Sequence, residues 1–329
     1  MSITSAIICL GFVVSLVFSL NMYKKRTGEM TGMLAFYCYA FVLGIIFARF
    51  LHWYSSSTTY SSIGQALTDY SIGTFNGSGI IIGACLASVI IDIMGLCKKK
   101  GVLLDCAAPG LMLFMIFVRI SAWGTGKCQG GKNIESSFLH FFPLTVKGTD
   151  TAGNVYYRFA TFMISAICYI AAFFIIMSFY NKYGNKKVRK PASRYGNVWN
   201  MALTAYAAIE IVLDSTRIDS MHFTFRKILT LNRFSTFISI GQIVPIIILI
   251  AVFVHYVKCA SNARGFGIKH IIAIVMFVVS VVLIGFLGEY KWQRIGSYMS
   301  YLYMVVGALV IAIDIRLMYA ECLKRRDMA

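Results

Sequence analysis

The sequence predicts an all-α fold: a polytopic transmembrane helix bundle of about nine spans. Three observations carry that prediction. The chain is 58% hydrophobic over 329 residues, with a mean hydropathy of +0.73, more apolar surface than a soluble domain of that length carries. Windows of about 20 residues with few or no charges recur along it, the length that crosses a bilayer as a helix. The connectors between those windows alternate between strongly and weakly basic, the pattern of a chain threaded with its positive loops inside. The net charge of +18, from 31 Lys and Arg against 13 Asp and Glu, falls in those short connectors. It therefore reads as topology and as attraction to anionic lipid headgroups, with no nucleic-acid partner implied.

The first span, 4–22, has no positive residue before its apolar run, and Lys24, Lys25 and Arg26 follow it. That order predicts a first helix with its N-terminus outside and no cleaved signal peptide. The second span, 33–53, precedes a connector without Lys or Arg, 54–77. The third, 78–96, ends at Lys98, Lys99 and Lys100. The fourth, 102–123, leads into a sparse, mixed loop, 124–158, where the text around His140 (SSFLHFFPLTV) suits a segment lying on the outer membrane surface. The fifth, 159–179, is followed by the strongly basic 180–198. The sixth, 199–216, and seventh, 236–256, flank a connector containing Arg217, Arg226, Lys227 and Arg233. That connector is basic although the alternation places it outside. Spans 268–287 and 297–319 then form an appended hairpin with a basic tail. The expected organisation is a core over 1–258 and a hairpin over 259–329, N-terminus out and C-terminus in.

The stretch Gly101–Gly131 is the centre of this frame. It is an apolar run that ends in Arg119 and a series of glycines. An arginine at the end of a membrane-length run is costly without a partner or a task. Threaded as above, Arg49 and His52, Asn76 and Gly77, Arg119, the Tyr206–Glu210–Asp214–Arg217 series and Gln242 all fall at the outer level. Tyr206, Glu210, Asp214 and Arg217 recur at helical spacing and form one stripe. Two readings of the stripe stand side by side. In one, Glu210 and Asp214 neutralise Arg217 or Arg119 as structural ion pairs. In the other, Arg119 and Arg217 hold an anionic headgroup, because a guanidinium matches a phosphate bidentately. The glycines Gly77, Gly79, Gly124, Gly126, Gly130 and Gly131 suit either close helix packing or close backbone approach to a ligand. Asp92 and Asp105 flank the inner lysines and read as interfacial ion pairs. The nine cysteines contain no CxxC pair, and no two histidines have metal-ligand spacing, so no metal or cofactor is implied.

Taken together, several short motifs resemble the prolipoprotein diacylglyceryl transferase family, in order, over about residues 1–258. Arg119-Ile120-Ser121-Ala122-Trp123-Gly124-Thr125-Gly126-Lys127-Cys128-Gln129-Gly130 resembles its arginine-glycine signature. Asp105-Cys106-Ala107-Ala108-Pro109 resembles its Asp-x-x-Ala-Pro, and Phe75-Asn76-Gly77-Ser78 its Phe-(His/Tyr)-Gly-Gly. Gly44 through Arg49 resembles its Gly-Ala-Arg run, and Gly196 through Arg217 its Tyr-Gly-x-x-Arg-x-x-x-Glu-x-x-Arg helix. Ser239-Ile240-Gly241-Gln242 resembles its Ser-x-Gly-Gln. This chain departs from the pattern at Asn76, where the family has His or Tyr, and at Ala122, where it has Asn or Cys. It departs again at Ser78, where it has Gly, and at Glu210, where an arginine is expected. It also lacks a His-Pro before span five.

The resemblance implies a seven-span core in the bacterial cytoplasmic (inner) membrane. It implies transfer of the diacylglyceryl group of phosphatidylglycerol to the lipobox cysteine of a prolipoprotein, whose signal peptide is then a partner. On that reading Arg119, Arg217, Asp214, Tyr206 and Asn76 are the catalytic candidates. Arg49, Gly77, Gly126, Gly130 and Gln242 are the lipid-binding candidates. A homologue that binds lipid or precursor without chemistry, and a transporter relaying protons through Glu210 and Asp214, are the alternatives.

Overall fold

A computed structural model describes residues 3–55, 62–68, 76–97, 99–125, 129–130, 133–134, 137–149, 153–181, 196–214, 217, 240–264, 268–286 and part of 302–314. The described chain is all-α apart from one small hairpin. Its helices are α1 (Ile3–Thr27), α2 (Thr31–Ser55), α3 (Ile63–Thr68), α4 (Gly77–Ile93), α5 (Lys100–Ser121), α6 (Thr161–Phe179), α7 (Asn197–Asp214), α8 (Ile240–Arg264) and α9 (Ile268–Phe286). Five of these, α1, α2, α5, α6 and α8, are long and apolar enough to cross a membrane, and α4 is a shorter apolar helix. Of the expected ninth span, 297–319, only some residues between 302 and 314 are described, in helical conformation. The chain falls into two compact units, Met1–Ala202 and Leu203–Ala329.

In the first unit α5 is the axis. Every residue from Val102 to Met112 is buried, the mark of a helix surrounded by protein on all sides. α1 runs antiparallel to α2 and to α5, and α4 antiparallel to α2, as their residue pairings show. A Cβ on Gly11 of α1 would collide with Phe117 of α5, and Ser15 Oγ donates to the Gly110 carbonyl at 2.7 Å. Tyr37 of α2 joins this seam: its hydroxyl lies 2.7 Å from Ser15 Oγ and 2.8 Å from Ser19 Oγ. In hydrocarbon such buried hydroxyls need internal partners, and here they supply one another.

Small residues set the closest helix pair. Gly79 and Gly83 of α4 lie directly against the backbone of Ala48 and Gly44 of α2, with no room for a side chain at either glycine. Both helices therefore present small residues four apart, which lets backbones meet where lipid gives no hydrophobic drive to association. At the far end of α4, Asp92 pairs with Lys100 at 3.6 Å, the interfacial ion pair expected for it.

Between α5 and α6 the chain forms an element that hydropathy does not reveal. Strands β1 (Thr145–Thr149) and β2 (Val155–Phe159) pair antiparallel, with Val146 opposite Arg158. His140 stacks on Tyr157 with ring centroids 3.9 Å apart, and its Nε2 lies 2.8 Å from the Ile134 carbonyl. His140 is thus a structural pin. Beside it Phe138, Phe141 and Phe142 are exposed, and Phe142 stacks on exposed Trp123.

In the second unit α8 packs on α9 through stacked Phe253 and Phe277, 4.2 Å between centroids.

Candidate functional site

The candidate residues divide between the two units. In the first, the antiparallel pairing of α1 with α2 and with α5 brings the ends of α2 and α5 and the start of α4 to the same end of the unit. Arg49, His52, Asn76, Gly77 and Arg119 all lie there. Such residues belong to an apolar bundle only if their polar atoms are met inside it.

Arg49 is 1% exposed, and its Nε donates to the Ala66 carbonyl at 2.7 Å. That carbonyl lies in the last turn of α3, where carbonyls have no helical partner and a cation is favoured. Asn76 is the N-cap of α4: its Oδ1 accepts from the Ser78 N–H at 3.0 Å, and its own N–H donates to the Ala48 carbonyl at 3.2 Å. Asn is a preferred residue in this position. Gly77 follows it and faces open space, with nothing within 4 Å of where a Cβ would lie. Arg119, in the last turn of α5, is 8% exposed.

Gly130 donates its N–H to the Phe159 carbonyl at 2.8 Å, and a Cβ there would lie 3.1 Å from the Phe159 side chain. Its glycine character serves the hairpin. Gly126, with Cys128 and Phe75 of the same motifs, lies outside the described residues.

In the second unit Tyr206, Glu210 and Asp214 are buried along α7. Arg217 Nη1 donates to Asp214 Oδ1 at 3.1 Å, with side-chain exposures of 17% and 6%. The ion-pair reading of the stripe therefore holds for Asp214 and Arg217. The Asp214 carboxylate lies against the first turn of α8: a Cβ on Gly241 would come within 2.5 Å of its Oδ2. A helix N-terminus favours an anion, and only glycine leaves it space there. Gln242 Nε2 donates to the Ile211 carbonyl at 3.1 Å, one of the carbonyls in the last turn of α7 that no helical N–H reaches. The Gly241-Gln242 pair thus locks the start of α8 onto the end of α7.

One residue has a stronger role than its sequence position suggested. Asp105, expected as an interfacial ion pair, is 1% exposed and caps α7 from α5. Its Oδ2 accepts from Gly196 N–H at 3.0 Å, and its Oδ1 from Val198 at 2.9 Å and Trp199 at 3.4 Å. Gly196 adopts φ +92° at that turn, a conformation that favours glycine. Spacing along the chain gives no sign of a cap supplied across 91 residues. The small residues Gly44, Ala48, Gly79 and Gly83, by contrast, carried a readable signal in their four-residue spacing.

Chemically, the arrangement offers guanidinium groups at the ends of apolar helices, carboxylates that orient a guanidinium or a backbone, and backbone N–H groups at helix starts. The guanidinium and backbone N–H groups are the donors that hold a phosphate or stabilise one that leaves. No curated protein matches the chain. Residues 3–258 match the prolipoprotein diacylglyceryl transferase family, about three quarters of the chain. With helices long and apolar enough for several crossings, it is a multi-pass membrane protein of the prolipoprotein diacylglyceryl transferase family, a transferase family of lipoprotein biosynthesis.

Proposed function

We propose that the protein transfers the diacylglyceryl group of phosphatidylglycerol to the lipobox cysteine of prolipoproteins, in the bacterial cytoplasmic membrane. The observation that carries this reading is the Asp214–Arg217 pair: a guanidinium oriented by a carboxylate at the polar end of a buried stripe. In the reaction the cysteine sulfur forms a bond to the terminal glycerol carbon of the diacylglyceryl group. The bond from that carbon to the phosphate oxygen breaks, and glycerol phosphate leaves with the electron pair. The thiol gives up its proton to water or to the departing phosphate, since the thiolate is the nucleophile. A guanidinium meets the charge on the phosphate as it departs, in a site of low dielectric where such contacts are strongest; Arg119 and Arg217 are each a candidate for that role. Asp214 holds Arg217, and Tyr206 orients the substrate.

Residues 1–258 form the catalytic core in this proposal, with 259–329 as an appended hairpin. The N-terminus faces outside and the C-terminus the cytoplasm, as the alternation of basic loops supports. The test is thioether formation on a lipobox peptide in phosphatidylglycerol vesicles. Product is expected with the wild type, and Arg119→Ala should remove it. Unchanged turnover in that variant would rule out Arg119 as a phosphate ligand.

A second reading has its own observation. Asn76 Oδ1 is engaged in capping α4, and Glu210 stands where the resemblance expects an arginine. A homologue that binds lipid or precursor without chemistry fits both facts. It predicts binding of phosphatidylglycerol or peptide with no product in the same vesicles.

A further inference from the structure

The chain between α5 and α6 presents a large aromatic surface that the transfer reaction does not use. Phe138 is 84% exposed, and Phe141 and Phe142 are each more than half exposed. Trp123, 62% exposed, stacks on Phe142 with ring centroids 5.8 Å apart. A contiguous group of large exposed rings marks a surface with a partner. The run 137–146, which carries the three phenylalanines, contains no Asp, Glu, Lys or Arg. Much of its polarity is met from within. The Phe141 carbonyl accepts from the Leu144 and Thr145 N–H groups, both at 3.0 Å. The Leu139 carbonyl accepts from the Phe141 N–H and from the Thr145 hydroxyl, both at 2.9 Å. The Leu144 carbonyl accepts from the Ala160 N–H at 2.8 Å. His140, the one titratable side chain of the run, is stacked on Tyr157 and engaged at Nε2.

We propose that this aromatic tip is a membrane anchor: Trp123, Phe138, Phe141 and Phe142 sit in the interfacial layer of the bilayer that α5 and α6 cross. Three observations select lipid as the partner. Both ends of the segment are tethered at the bilayer: Trp123 is two residues past the end of α5 and Thr161 opens α6, and both helices are long and apolar enough to cross. The stack of Trp123 on Phe142 joins that helix end to the tip, so the two enter the same layer. And a tip without ionised side chains, with its backbone bonded internally, loses little on leaving water, while Trp is the residue that settles at headgroup level. The anchor has a consequence for the chain that follows Arg119. Gly130 N–H donates to the Phe159 carbonyl and Ile134 N–H to the Tyr157 carbonyl, both at 2.8 Å. That segment is therefore held at the height the tip sets. The anchor rests on α5 and α6 crossing the membrane, and on no assignment of donor or acceptor.

The tip is read directly by Phe138→Trp in a Trp123→Phe background, a change at a position too exposed to disturb the fold. The purified full chain is reconstituted in vesicles of phosphatidylcholine and phosphatidylglycerol brominated either close to the headgroup or near the terminal methyl. The emission added by Phe138→Trp should lose most of its intensity to the shallow bromines and little to the deep ones. Iodide present on both sides of the membrane should barely reach it. Strong quenching by iodide with none from bromolipid puts the tip in water and overturns the anchor, and stronger quenching by deep bromines overturns the interfacial position. Adding Phe141→Glu to the same protein should shift that emission to longer wavelength and open it to iodide; unchanged quenching there overturns the role of the aromatic rings. Two further results would give the surface to a protein. Loss of bromolipid quenching on saturation with a lipobox peptide makes it a precursor site. Bromolipid quenching that appears only on dilution of the protein in lipid makes it a contact between copies. Either overturns the proposal. Transfer activity plays no part in the readout, so failure of the transferase reading leaves the anchor standing.

Discussion

The two ends of α7 hold their carboxylates in opposite ways. At its start, Asp105 of α5 accepts three backbone N–H groups and serves the helix itself. At its finish, Asp214 lies against Gly241 and holds a side chain, Arg217, at 3.1 Å. Both are aspartates, both are buried, and both sit at the first turn of a helix. The difference is what each leaves for chemistry. A carboxylate bonded to backbone fixes the position of a helix. A carboxylate bonded to a guanidinium orients a planar group of five N–H donors, the geometry that matches a phosphate. The comparison teaches that burial and charge alone do not mark a functional acid; its partner does.

Substitutions test this contrast. Of the residues at the two ends of α7, Arg217 should matter most for transfer: Arg217→Ala should lower turnover roughly 10²–10³-fold, the scale for removing a donor to developing charge. Unfolding temperature in detergent should barely move, and Arg217→Lys should recover only part of the rate. Asp105→Ala should behave in the reverse way. Removing a buried charged acceptor of several hydrogen bonds should cost about 3 kcal/mol of stability, seen as a lower unfolding temperature. The protein that remains folded should keep its apparent KM. If Asp105→Ala instead leaves stability intact and abolishes transfer, the contrast fails. Asn76→Ala should cost about 1 kcal/mol through loss of the cap, and Asn76→Ser should restore it. A rate that stays low in a fully stable Asn76→Ser protein would place Asn76 on the substrate. The smallest effect belongs to the half-exposed Asp92–Lys100 pair. Lys100→Ala should change stability by less than about 1 kcal/mol, a limit that a careful thermal melt resolves.

Much of the molecule was legible before any coordinates. Apolar windows gave the bundle, because a bilayer admits only segments that satisfy their own backbone. The polar stripe on α7 was readable because helical spacing is fixed by geometry. The hairpin Thr145–Phe159 was not. Its strands are short, and its registers depend on contacts such as His140 on Tyr157 that no period announces. Gly130 was read as a lipid-binding residue and Asn76 as a catalytic one, and their described contacts are with backbone. A glycine or an asparagine that serves a turn and one that serves a ligand look alike in sequence.

Hydropathy also ranked α1 and α5 as equals. Their best windows score 2.4 and 2.1, yet 17% of the first and 72% of the second is buried. A bilayer and a protein interior are equally apolar, so composition determines that a segment leaves water and cannot determine which of the two it enters. The sequence by itself therefore determined the membrane class, the helical bundle and the family pattern. Only the tertiary structure decided that α5 is the axis, that Asp105 belongs to α7, and that Asp214 holds Arg217. Those are contacts between segments far apart in the chain, and their geometry arises from packing, which no local pattern contains.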